Sequence, residues 1–91
     1  MNCVRIKITG SVQGVGFRQF VLMSATLMGV VGEVWNTREG TVELIACHDE
    51  QSVLERFVQD LRRGPGRVDS VTAVPEEPAA CYDRFLVGAT K

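Results

Sequence analysis

The residues of this chain best equipped for chemistry form one short run: Gly10, Ser11, Val12, Gln13, Gly14, Val15, Gly16, Phe17 and Arg18. An apolar/polar alternation ends at Gly10, and a helical period starts at Phe17, so the run leaves a strand and opens a helix. Gly14 and Gly16 let the backbone curl until successive N–H groups point inward. Such a nest, at the positive end of a helix dipole, binds phosphate-like anions. Arg18 adds a planar guanidinium able to grip two oxygens of the same anion. A plain strand-to-helix turn carrying a surface arginine fits the same spacing. The run is not the Walker A pattern, because no Gly-Lys-Ser/Thr follows.

A second polar candidate, Asn36, stands just before Thr37, Arg38, Glu39 and Gly40, which read as a hairpin loop. Taken alone, Asn36 reads as a hairpin-entry asparagine, a common residue beside turns. The single histidine, His48, falls at the far end of its strand from the Gly14 loop and reads as a solvated strand-end residue. Cys81 sits in a turn-rich loop with no Cys or His ligand pattern near it, which argues against zinc. Arg62, Arg63 and Arg67 cluster near a turn, where helix capping and solvation account for them.

The elements that must position these residues follow from periodicity. Val4, Ile6 and Ile8 alternate with Arg5, Lys7 and Thr9 as a half-buried strand that Gly10 ends. Phe17, Phe20, Val21, Ser24, Ala25 and Met28 share one face of a helix, with Gly29 as its C′ residue. Val31 to Asn36 and Thr41 to His48 are the second and third strands. Asp49 is the expected N-cap of a second helix, with Glu50 in its first turn. Val53, Leu54, Phe57, Val58 and Leu61 form that helix's stripe, Gly64 caps it and Pro65 stops it. Val68 to Val74 is a fourth strand, Pro75 to Asp83 a loop, and Phe85 to Val87 a short edge strand.

This βαββαβ order predicts an α+β, ferredoxin-like sandwich: an antiparallel sheet with two helices on one face. The first and third strands are then antiparallel neighbours at its centre. If paired residue numbers sum to 50, Val4, Ile6 and Ile8 face Ala46, Leu44 and Val42 on the core side. Lys7 then faces Glu43, and Cys3 faces Cys47, on the other side. Cys3 and Cys47 are near enough in this register for a disulfide, while a reducing cytoplasm argues against one.

The 91 residues suit a single domain over 1–91, and 45% hydrophobic with 23% charged residues is ordinary for a globular protein. A net charge of −1 advertises no broad surface for nucleic acid or anionic lipid, so any anion must be held by a local device. The longest uncharged stretch, Gln19 to Gly32, is fourteen residues, too short for the ~20 apolar residues of a membrane span. Arg5 and Lys7 interrupt the start, leaving no signal-peptide pattern, and three cysteines do not fit a secreted disulfide framework. The expectation is a cytoplasmic protein with no membrane partner. Leu22, Met23 and Leu27 make the first helix apolar nearly all round. A homodimer through that helix is one reading, and a monomer with ordinary surface hydrophobes is the favoured one.

The run from Gly10 through Val12, Gln13, Gly14, Val15, Gly16 and Phe17 to Arg18 resembles the acylphosphatase signature. Ala25, Gly29, Gly32, Val34, Asn36, Gly40, Val42, Glu43, Gly64, Pro65, Val71 and Phe85 follow in register, so the resemblance covers essentially the whole chain. It implies the sandwich fold, hydrolysis of small acyl phosphates such as acetyl or carbamoyl phosphate, and no metal or organic cofactor. It assigns phosphate binding to the loop Gln13, Gly14, Val15, Gly16, Phe17 and Arg18, phosphate clamping to Arg18, and water orientation to Asn36.

The chain departs from the family pattern at several points. Trp35 stands where the family usually carries Lys or Arg, which is expected to remove a positive charge near the site and weaken substrate binding. His48 replaces a usual Gly, the segment after Gly64 and Pro65 is short, and Gly88, Ala89, Thr90 and Lys91 follow Val87. A second reading is a binding module like the acylphosphatase-like domain that opens hydrogenase-maturation carbamoyltransferases. Those proteins continue into larger domains, so the sequence as it stands favours a free-standing enzyme. RNA binding, which uses the same element order, needs aromatics on the central strands. Val4–Thr9 and Thr41–His48 have none.

Overall fold

A computed structural model describes residues 1–77 and 82–91. Its elements are β1 (Asn2–Ser11), α1 (Phe17–Met28), β2 (Val31–Asn36), β3 (Val42–His48), α2 (Gln51–Leu61), β4 (Arg67–Pro75) and β5 (Phe85–Val87). The sheet order is β4-β1-β3-β2-β5. The first four strands are antiparallel, and β5 adds to β2 in parallel, so the sheet is mixed rather than wholly antiparallel. The β1–β3 register runs from Asn2↔His48 to Ile8↔Val42, and every pair sums to 50 as expected.

Period-2 alternation sends Ile6, Ile8, Val34, Val42 and Leu44 to the helix side, where they meet Phe17, Val21 and Ala25 of α1 and Leu54, Phe57 and Leu61 of α2. Each fully buried side chain of this kind stabilises the fold by about 1.5–3 kcal/mol. The Ser24 hydroxyl donates to Asp60 Oδ2 at 2.7 Å, tying the two helices together. The Phe57 and Phe85 rings meet edge-on at 6.4 Å, which anchors β5 under α2.

Three local expectations give way to tertiary contacts. β1 does not end at Gly10. It continues to Ser11 through a register shift against β4, where a side chain at position 10 would collide with the Arg67 carbonyl oxygen. Asp49 is not the N-cap of α2. Glu50 holds that position with extended backbone and no side-chain cap, and its N–H donates to His48 Nδ1 at 2.9 Å. Asp49 instead offers its carbonyl to Asn2 Nδ2 at 3.0 Å, which closes the end of the β1–β3 ladder. Gly64 is not a left-handed cap either, since α2 ends at a right-handed Arg62. Glycine is required there because the Phe17 ring occupies the space a Cβ would need.

The helix-free face carries a second, smaller cluster of Cys3, Trp35, Ile45 and Cys47, with Val31 and Tyr82 packed against it. Cys3 and Cys47 form a disulfide, with Cα atoms 4.1 Å apart. Lys7 stands opposite Glu43, but the Glu43 carboxylate pairs with Arg5 at 3.4 Å. Arg67 is occupied by Asp69 at 2.9 Å, which raises its pKa still further. Cys81 lies outside the described residues. Among the described residues, no helix is long and apolar enough to cross a membrane.

Candidate active site

The loop between β1 and α1 takes its shape from Gly14 (φ 73°) and Gly16 (φ 83°), both in the left-handed region that glycine enters at little cost. A Cβ at either position would meet nothing within 4 Å, so conformation and not crowding selects glycine. Gly16 is also the N-cap of α1 and brings no side-chain cap. The first intrahelical bond runs from Phe20 N to the Gly16 carbonyl at 3.1 Å. The amides of Phe17, Arg18 and Gln19 therefore lack intrahelical acceptors and lie at the positive end of the helix dipole.

Phe17 is buried in the core and fixes the first turn of α1. Arg18, its half-buried neighbour, donates from Nη1 to the Gly88 carbonyl at 3.1 Å. Asn36 ends β2 on the helix side of the sheet, paired with Val42. The turn after it is closed by Thr37 N donating to the Thr41 carbonyl at 2.9 Å and by the two threonine hydroxyls 2.6 Å apart.

A cavity of about 170 Å³ opens between these parts, lined by Val12, Gly14, Gly16, Phe17, Arg18, Gln19, Asn36 and Val87. It has room for several waters at about 30 Å³ each. Among the described residues lining it, Arg18 is the one charged side chain. The fold thus brings Arg18, Asn36 and both loop glycines to a single opening.

Gln13 and Val15 are in the loop but do not line the cavity. Gln13 Nε2 donates to the Thr37 and Thr41 carbonyls, both at 2.8 Å, and so staples the loop to the hairpin that follows Asn36. Val15 is exposed. His48 lies at the opposite end of β3 from Val42 and touches none of this. Trp35 requires a correction: it faces the helix-free side, 5% exposed and packed with Cys3, Ile45 and Cys47. Its place in the pattern therefore removes no charge from the cavity.

Sequence reasoning missed Val12, Gln19, Val87 and the Gly88 carbonyl as neighbours of the site. Alternation along β2 was a usable signal for Trp35, since it must face away from Val34 and Asn36. The Gly88 carbonyl is a backbone atom and left no mark in residue type.

Residues 4–87 match the family model for acylphosphatase. The chain belongs to the acylphosphatase family. An acylphosphatase from Lactococcus lactis is 42% identical over 82 residues, covering 84% of each chain. The crystal structure of the Bacillus subtilis acylphosphatase superposes with a TM-score of 0.89 at 32% identity, covering 97% of this chain and 99% of that one. The acylphosphatase fold also matches T. kodakarensis HypF at 26% identity and a TM-score of 0.84, where it covers all of this chain and 12% of the larger one. Acylphosphatases hydrolyse the carboxyl–phosphate bond of acyl phosphates.

Proposed function

We propose that this acylphosphatase hydrolyses small acyl phosphates, acetyl or carbamoyl phosphate and their like, with Arg18 clamping the phosphate and Asn36 aiming the water. The observation that carries the reading is the shared cavity. Arg18 from α1 and Asn36 from β2 line one opening together with a glycine turn whose following amides are free of intrahelical bonds.

The reaction asks little of the protein. The leaving group is a carboxylate, stable as an anion with a pKa of about 4, so no general acid is needed. Phosphoryl transfer then depends on neutralising the equatorial oxygens and holding the nucleophile in line. The Arg18 guanidinium and the amides of Phe17, Arg18 and Gln19 serve the oxygens. The Asn36 side-chain amide both accepts from and donates to water, so it fixes the water's position and its orientation. Water attacks phosphorus, the P–O bond to the acyl group breaks, and a phosphate oxygen of the substrate takes the water's proton. The products are carboxylate and inorganic phosphate. One chain supplies every group in this scheme, which suits a monomer.

The likeness to one segment of HypF favours a second reading, in which the same cavity binds the acyl phosphate without turning it over. Phosphate release from acetyl phosphate decides between them. The enzyme reading predicts turnover that Arg18→Ala and Asn36→Ala each strongly reduce. Stoichiometric binding without turnover by the wild type selects the module.

A further inference from the structure

Residues 88–91 follow the last strand and belong to no helix or strand. They nevertheless touch both members of the pair that the proposed function rests on. Gly88 N donates to the Val34 carbonyl at 2.7 Å, and the Gly88 carbonyl accepts from Arg18 Nη1 at 3.1 Å. Lys91 N donates to the Asn36 carbonyl at 2.9 Å, and the Lys91 carbonyl accepts from Arg38 N at 3.2 Å. The segment thus extends the β2 edge past Asn36 and holds the backbone on both sides of Thr37.

A short irregular segment held by a few backbone bonds opens locally unless a side-chain contact pins it. The Lys91 ammonium supplies the pin. It lies 4.0 Å from the centroid of the Trp35 ring and 3.9 Å from Glu33 Oε2. Trp35 and Glu33 are on the face of β2 turned away from Asn36. Trp35 is buried among Cys3, Ile45 and Cys47, so the ring is a fixed anchor. The lysine side chain itself is 55% exposed.

We propose that Lys91 is a positioning residue: its ammonium, latched on Trp35 and Glu33, keeps residues 88–91 on the β2 edge and so holds Asn36 in line for the water. The inference rests on the proposed role of Asn36. Gly88 is tied to β2 through its own N–H, close to β5, so releasing Lys91 disturbs Asn36 more than Arg18. The latch therefore acts on kcat and leaves KM nearly unchanged.

The test compares Lys91→Met and Lys91→Arg in the full chain with acetyl phosphate as substrate. An exposed cation–π contact is weak, so Lys91→Met should lower kcat about threefold, with little change in KM or melting temperature. Lys91→Arg should restore kcat, because a guanidinium also lies over an indole and pairs with a carboxylate. Trp35 is the single tryptophan, so its fluorescence reads the latch directly. The emission should change in Lys91→Met and return toward wild type in Lys91→Arg. Wild-type kcat or wild-type emission in Lys91→Met, while Arg18→Ala and Asn36→Ala are strongly impaired, overturns the latch alone. Full activity in Asn36→Ala overturns the assignment of that residue, and the latch, which acts through it, falls with it.

Discussion

Asn36 and Trp35 are adjacent in sequence and face opposite sides of β2. On the helix side, Asn36 shares a small cavity with one cation, Arg18, and with a loop whose glycines leave amides without intrahelical partners. On the other side, Trp35 is covered by Cys3, Ile45 and Cys47, with Arg5 and Lys91 over its ring at 5.6 and 4.0 Å. The first face leaves the loop amides without intrahelical partners and places the Arg18 guanidinium beside them. The second spends its charges on one another, in the pairs Arg5–Glu43, Arg5–Glu76 and Lys91–Glu33. On the proposed function, a single strand separates a face that handles substrate from one that holds the sheet together, and substitutions on the two faces should separate in the same way.

The largest effect belongs to the helix side. Arg18→Ala should lower kcat/KM for acetyl phosphate by a factor on the order of 10³, the loss typical of removing a charged transition-state contact. Its melting temperature should stay near wild type, because Arg18 is only half-buried. Asn36→Ala should follow, with kcat lower by a factor on the order of 10², since it misplaces the nucleophile without removing charge. Activity assays beside thermal melts check both, and a variant that melts early while keeping its turnover would erase the distinction between the faces.

The helix-free side should respond in stability instead. The Cys3–Cys47 bridge closes a loop with a sequence separation of 44. Replacing both cysteines with alanine should lower stability by about 2–4 kcal/mol in urea titrations, with kcat unchanged below the transition. Dithiothreitol added to the wild type should give the same shift, and no shift at all would mean the thiols are free. The smallest effect is expected at the far end of β3. His48→Ala removes the acceptor for Glu50 N and should cost about 0.5–1 kcal/mol, with no change in turnover.

Much of this division is legible in the sequence, for a physical reason. Strand alternation and the requirement that Val4, Ile6 and Ile8 meet apolar partners fix the β1–β3 register, because a one-residue slip turns every side chain over. The spacing of Phe17, Val21, Ser24 and Ala25 likewise sets the buried face of α1. The glycine turn and Arg18 announce the site because only glycine reaches φ near 80° cheaply. What escapes is non-local. β1 runs past Gly10 because β4 is there to pair with it. Asp49 loses its cap because β3 and Asn2 draw its backbone into the strand end. Gly64 is dictated by the distant Phe17 ring, not by the helix it follows. The contribution of Gly88 is a carbonyl, which every residue type possesses.

The central claim is that the Gly14–Gly16 turn and Arg18 form one oxyanion pocket facing Asn36. A crystal structure of the wild-type protein grown with inorganic phosphate tests it most directly. The account predicts the anion in the loop, accepting from the amides of Phe17, Arg18 and Gln19 and from the Arg18 guanidinium, with the Asn36 amide facing it across the cavity. Phosphate bound elsewhere, or an Arg18 side chain turned to solvent with the loop empty at saturating phosphate, would contradict it.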